Sequence, residues 1–275
     1  SGSVLSGYFR DIEFKPNNPN VLYAVKQTTG SSQVYKSSDR GQTWSVSMNG
    51  ISTVNRNRPL LAVTPANPDA VYVLFCMNDY GFHGIYKSTD NADSWTLQSD
   101  SPNILGRNTD GTSTGGQSWY DLSLGVSTED EDLLYVGGIN LWRSTDGGVN
   151  WNISGSSGNG SSYSYMHVDQ HALEFNPLNG VAYAGNDGGL YEYMDTLNSW
   201  IDISDGLAIS QGGFLHSEYF ILIDKEGRVR SGIDKNGNVL GVYDGTKEVQ
   251  MKDLVNDVKV LMAEYKRPKK TKRKW

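Results

Sequence analysis

A mainly β chain, built as a partial β-propeller of about four blades and followed by a small α+β fragment, is what this sequence predicts, and three observations carry the prediction. An eight-residue corner, Ser37-Ser38-Asp39-Arg40-Gly41-Gln42-Thr43-Trp44, returns as Ser88 to Trp95, as Ser144 to Trp151, and in worn form as Tyr193 to Trp200. From tryptophan to tryptophan the steps are 51, 56 and 49 residues, the length of a four-stranded blade with its loops. Thirty-one glycines, sixteen tyrosines and seven tryptophans lie among Val/Tyr/Leu runs bounded by Asn, Asp, Gly and Pro, and helical patterning is nearly absent before residue 247.

The corner has a mechanical reading. A short carboxylate at the head of a tight turn accepts hydrogen bonds from backbone N–H groups two or three residues on, and a glycine then supplies positive φ. A hydroxyl residue and an indole follow on the returning strand, where the ring packs against the hairpin. Ser37, Asp39, Gly41 and Trp44 fill these roles in the first copy, Ser88, Asp90 and Trp95 in the second, and Ser144, Asp146, Gly148 and Trp151 in the third. The fourth keeps only Asp195, Ser199 and Trp200. A repeated turn of this kind reports architecture and not chemistry.

Taken in order, the blades span about 8–50, 60–103, 118–155 and 163–206 within a first domain of residues 1–212. In the first, Asp11 to Phe14 alternates, Lys15 to Asn20 turns, Val21 to Val25 alternates again, and Gln33 to Lys36 leads into the corner. Leu60 to Val63, Val71 to Phe75 and Gly84 to Lys87 repeat the plan, and a third copy opens on Trp119 to Leu124. The acidic run Glu129 to Asp132 is read as a solvated turn, with calcium as the alternative.

The fourth blade is chemically richest. If Tyr165 to Phe175 is one strand of period two, His167, Asp169 and His171 share a face. Three readings stay open for them: a metal site, a polar ligand-binding surface on the channel side, or plain packing satisfied by water. Asp169 and Asp187 are the nearest pair of carboxylates for acid/base work on a glycoside. The lone Cys76 sits in an apolar run and reads as a buried small hydrophobe.

These boxes and their Pro-x-Asn-Pro turns resemble the Asp-box (bacterial neuraminidase) repeats of sialidases, xyloglucanases, sortilin-type receptors and secreted bacterial propellers. The His-Val-Asp-Gln-His and Gly-Asn-Asp-Gly-Gly stretches are similar to secreted, glycosyl hydrolase-like Asp-box proteins of gliding-type bacteria. The resemblance covers residues 8–211. It implies a secreted or cell-envelope protein whose partner is a protein or a carbohydrate, acting as a non-catalytic binding module, with a glycoside hydrolase as the alternative. Arg10, Arg40, Arg56, Arg58, Arg107 and Arg143 do not supply the arginine triad of a sialidase: two of them adjoin or lie inside the boxes. Ser1 opens the sequence without a methionine and no signal peptide is visible, which predicts that the natural start lies outside this chain.

Composition changes near residue 212. Residues 1–212 carry 10 Lys/Arg against 22 Asp/Glu, and residues 213–275 carry 14 against 9. Ser217 to Asp224 reads as a strand, Arg228 to Arg230 as its return, and 247–265 as an amphipathic helix with Met251, Leu254, Val255, Val258, Leu261, Met262 and Tyr265 on one stripe. Phe214 to Phe220, Leu222 to Arg228 and Tyr243 to Thr246 resemble the C-terminal third of the Sco/SenC proteins, thioredoxin-like copper chaperones. That resemblance implies that residues 213–265 are a fused fragment and that His216 stands where the family has a copper ligand. No Cys-x-x-x-Cys loop accompanies it, so copper is expected only if a partner supplies thiolates, and otherwise no cofactor. Residues 266–275 hold seven Lys/Arg and read as a disordered, solvated tail. No apolar run reaches the roughly 20 residues of a bilayer span, and no nucleic-acid-binding motif is present.

Overall fold

In the computed structural model, residues 6–204 except 159 and 161 are described in full, and beyond them the backbone of four short strands. Among the described residues there are strands and turns but no α-helix. The chain divides into two compact units, Ser1–Gly213 and Phe214–Trp275.

Each blade of the first unit is a four-stranded antiparallel meander, as expected where alternating Val/Tyr/Leu runs are parted by Asn/Pro/Gly turns. Blade 1 holds β1 (Tyr8–Phe14), β2 (Leu22–Gln27), β3 (Gln33–Ser37) and β4 (Ser45–Val46). Blade 2 holds β5 (Pro59–Thr64), β6 (Asn67–Cys76), β7 (Phe82–Ser88) and β8 (Thr96–Ser99). Blade 3 runs β9 (Ser123–Val126), β10 (Leu134–Gly137), β11 (Leu141–Ser144) and β12 (Asn152–Ser156), with β13 (Ser164–Tyr165) added parallel at its outer edge. Blade 4 holds β14 (Gln170–Phe175), β15 (Ala182–Asn186), β16 (Gly189–Met194) and β17 (Ser199–Asp202). The first strands pack in sequence order, β1 on β5, β5 on β9 and β9 on β14.

The core lies between blades. Tyr23, Val25 and Val34 of blade 1 meet Leu61, Val71, Val73, Phe75, Tyr86 and Trp95 of blade 2. Tyr72, Leu74 and Ile85 meet Leu124, Val136 and Trp151 at the next junction, and Tyr135 and Leu141 meet Leu173, Ala184, Tyr191 and Trp200 at the third. Cys76 is buried in the apolar cluster between blades 2 and 3 and is a free thiol.

The corners close on themselves. Asp39 accepts from the Thr43 N–H and hydroxyl (2.8 and 2.6 Å), and Ser37 Oγ accepts from the Gly41 N–H at 2.8 Å. Asp90 with Ser94 and Asp146 with Asn150 repeat the pattern within 0.1 Å. The main reach is therefore four residues on, one residue longer than the turn chemistry alone predicts, because Gly41, Ala92 and Gly148 in positive φ insert an extra left-handed step. Three of the four corner indoles then bridge blades: Trp95 Nε1 donates to Ser47 Oγ (3.0 Å), Trp151 Nε1 to Ser99 Oγ (2.9 Å), and Trp200 Nε1 to Ser154 Oγ (2.9 Å), whereas Trp44 Nε1 donates to the Gly41 carbonyl of its own turn.

Two expectations for the strands are corrected. The segment 118–120 is a turn and β9 begins only at Ser123, so Trp119 and Tyr120 are exposed loop residues instead of strand residues. β14 begins at Gln170, Asp169 has φ 67°, and the register slips between Gln170 and Ala172. His167, Asp169 and His171 therefore do not follow one strand's alternation.

In the second unit β18 (Tyr219–Ile221) pairs antiparallel with β21 (Val242–Asp244), and β19 (Gly232–Ile233) with β20 (Val239–Leu240). The thioredoxin-like reading gains no support from these strands. His216, the return strand at 228–230, the helix expected over 247–265 and the basic tail lie outside the described residues.

Candidate functional site

Between blades 2 and 3 the chain makes a long excursion over residues 100–122 before β9 starts. It is anchored by side chains: Asn103 Nδ2 donates to the carbonyls of Ser113 and Gly115, and Ser118 Oγ to that of Tyr80. Its far end brings Gln117, Trp119, Tyr120 and Asp121 against the start of blade 4.

Tyr120 OH donates to the Asp187 carboxylate at 3.1 Å, and His171 Nε2 stands 2.7 Å from Asp187 Oδ1. The Tyr120 and His171 rings meet edge to face at 4.9 Å, and Trp119 leans on Tyr120 at 5.7 Å. Trp119 is 59% exposed and Tyr120 38%, whereas the Asp187 side chain keeps only 13% of its surface. The result is an aromatic shelf held by a carboxylate–imidazole pair. Burial first, and the neighbouring Asp187 after it, raise the Tyr120 phenol pKa.

Beneath the shelf lies a second carboxylate group. Gln117 Nε2 donates to Asp121 Oδ2 at 2.9 Å and also to Asp169 Oδ1. Asp121 is fully buried, and its Oδ1 has no hydrogen-bond partner among the described residues. Burial, opposed by Gln117 and reinforced by the negative charge of Asp169, pushes the Asp121 carboxyl up to about 7. An acid so held is neutral at mildly acidic pH.

The sequence-selected residues thus separate. Asp187 joins His171, and Asp169 joins Gln117 and Asp121. His167 turns away: its Nδ1 lies 3.2 Å from the Val168 carbonyl, and its Cβ fills the space a side chain on Gly188 would need. Among the described residues no group of three or more His, Cys, Asp or Glu could hold a metal ion; in the acidic turn Glu131 and Asp132 pair with blade 2, through Lys87 and Asn67. Sequence reasoning missed Gln117, Trp119, Tyr120 and Asp121. The available signal was two adjacent aromatics closing a Gly/Ser/Thr-rich loop, the kind of segment in which binding residues concentrate.

No family model matches the chain. It is 28% identical over 176 residues to the xyloglucanase Xgh74A of Acetivibrio thermocellus, covering 58% of this chain and 19% of that protein. A xyloglucanase of a Paenibacillus species is 25% identical over 209 residues, 72% of this chain and 19% of its own. The chain thus spans about a fifth of the length of the curated relatives it matches. Among solved structures, the GH74 xyloglucanase of Xanthomonas campestris superposes with a TM-score of 0.55 at 15% identity, over 86% of this chain and 37% of that one. An ancestral GH74 enzyme gives 0.52 at 15% identity, over 88% and 34%. These structures share the propeller fold. No helix among the described residues is long and apolar enough to cross a membrane.

Proposed function

We propose that the four blades form a non-catalytic carbohydrate-binding module, with a β-glucan chain such as xyloglucan lying over Trp119 and Tyr120. The observation that carries this reading is the exposed indole and phenol side by side, with the phenol oriented by Asp187. An apolar ring face with hydroxyl, carboxylate and imidazole groups at its rim is suited to a ligand whose rings have apolar faces and hydroxylated edges. The named activity of the curated relatives supports the choice of ligand class. Asp121 is enclosed, and Asp169 and Asp187 are each engaged by neighbours, which supports binding over catalysis. Affinity electrophoresis through gels containing xyloglucan or other β-glucans tests it: retardation that Trp119→Ala removes is expected, and free migration in every gel would overturn it.

A second reading, glycoside hydrolysis, is favoured by one observation, the upward-shifted Asp121 beside Asp169. It predicts release of reducing sugar from β-glucans that disappears in Asp169→Ala. Hydrolysis unaffected by that substitution, or none at all, removes this reading.

A further inference from the structure

The turn that carries the shelf is one compact unit. The Gln117 carbonyl accepts from the N–H groups of Tyr120 (2.8 Å) and Asp121 (3.4 Å), which leaves Trp119 and Tyr120 exposed at the crest and puts Asp121 at the buried root. Blade 2 holds the turn on one side: Arg58 Nη1, just ahead of β5, donates to the Ser118 carbonyl at 2.7 Å, and Ser118 Oγ donates to the Tyr80 carbonyl at 2.7 Å. Blade 4 holds it at two levels, Asp187 through Tyr120 and Asp169 through Gln117.

One oxygen in this arrangement is left over. Asp121 Oδ2 accepts from Gln117 Nε2 at 2.9 Å, but Oδ1, equally enclosed, has no partner among the described residues. An ionised carboxylate there leaves a buried negative oxygen bare, which is costly. A carboxylic acid instead has a donor, and the Asp169 side chain, bonded to the same Gln117 amide, lies within hydrogen-bonding reach of it. Around Asp121 stand Arg58 from blade 2, Asp169 from blade 4, Tyr120 on the same turn and, past Ser118, the Cys76 thiol, whose pKa burial raises. Asp187 and His171 contact Tyr120. Arg58 favours the ionised acid, but burial and the charge of Asp169 outweigh it and hold the proton on Asp121 up to about pH 7.

We propose that Asp121, in its protonated form, is the positioning residue of the shelf: it locks the 117–121 turn onto blade 4, and its ionisation releases Trp119 and Tyr120 from His171 and Asp187, and the glycan with them. The inference rests on the carbohydrate-binding reading given above. Once ionised, Asp121 and Asp169 are like charges on one amide inside the protein, and water reaches Asp121 only when the turn lifts. Proton and glycan favour the same arrangement, so each tightens the binding of the other.

Isothermal titration calorimetry of the full chain with a xyloglucan oligosaccharide, over about pH 5.5 to 8.5 in buffers of differing ionisation enthalpy, tests this. With one group titrating near 7, affinity should fall about 5- to 30-fold between about pH 6 and 8.5, with up to about one proton taken up per glycan bound above neutrality. Asp121→Asn, whose amide can donate to Asp169 at every pH, should bind at least about fivefold more tightly than the parent at about pH 8.5 and show none of that uptake. Affinity that does not fall with pH overturns the inference and leaves the binding reading standing, as does a fall with proton uptake that Asp121→Asn leaves intact. Absence of binding heat at every pH removes the binding reading, and the inference with it. Should Asp121→Asn fail to fold, the parent decides: binding without proton uptake above neutrality overturns the inference.

Discussion

Replacing Trp95 by alanine examines the inter-blade bridge in isolation. The indole is 4% exposed and packed between blades 1 and 2, and its N–H is shared between the Ser47 carbonyl and hydroxyl. Truncating a buried tryptophan costs about 3–5 kcal/mol. Phenylalanine at the same position keeps most of the ring contact and loses the donor, at about 1–2 kcal/mol. For a domain of this size each kcal/mol lowers Tm by about 2–4 °C, so the alanine variant should melt roughly 6–20 °C below the parent. Urea unfolding followed by far-ultraviolet dichroism at constant m gives the free energies directly. Leu97→Ala, at a 42% exposed neighbour on β8, supplies the reference and should cost under about 1 kcal/mol. If Trp95→Ala costs no more than Leu97→Ala, the indoles are not the members that join the blades.

Three further outcomes follow from the same structure. The Ser94 hydroxyl, then the Ser94 and Ser88 hydrogen bonds, hold Asp90 down at about 2; its stabilisation is present above the unfolded value near 3.8 and is lost as pH falls through about 2, so Asp90→Asn should flatten the acid limb of a stability–pH curve. Asp121 is shifted the other way: its contribution is full below the unfolded value near 3.8 and is lost as pH rises through about 7, and Asp121→Asn should remove that decline when Tm is followed from pH 4 to 8. Gly50 has φ +95°, and a Cβ there would lie 2.0 Å from the Trp95 carbonyl oxygen, so Gly50→Ala should cost at least about 2 kcal/mol in urea unfolding.

The propeller was legible because its determinants are local and repeated. Asp39, Asp90 and Asp146 each organise their own corner, and the tryptophan spacing fixes the module length. The site was only half legible. Asp187 and His171 share a short stretch and could be selected together, but Gln117, Trp119, Tyr120 and Asp121 approach them from the other side of blade 3, across 52 residues in the case of Gln117 and Asp169. Nothing in Tyr165 to Phe175 announces the positive φ of Asp169, which moves His167 away from its expected neighbours. Burial of Asp121 is likewise set by tertiary packing: its local pattern is that of any strand start.

Crystals soaked with a xyloglucan oligosaccharide test the central functional claim most directly. The account predicts a sugar ring stacked on Trp119, with a hydroxyl within hydrogen-bond distance of Asp187 or His171. Oligosaccharide bound elsewhere on the blades, with the Trp119–Tyr120 shelf empty, would contradict it.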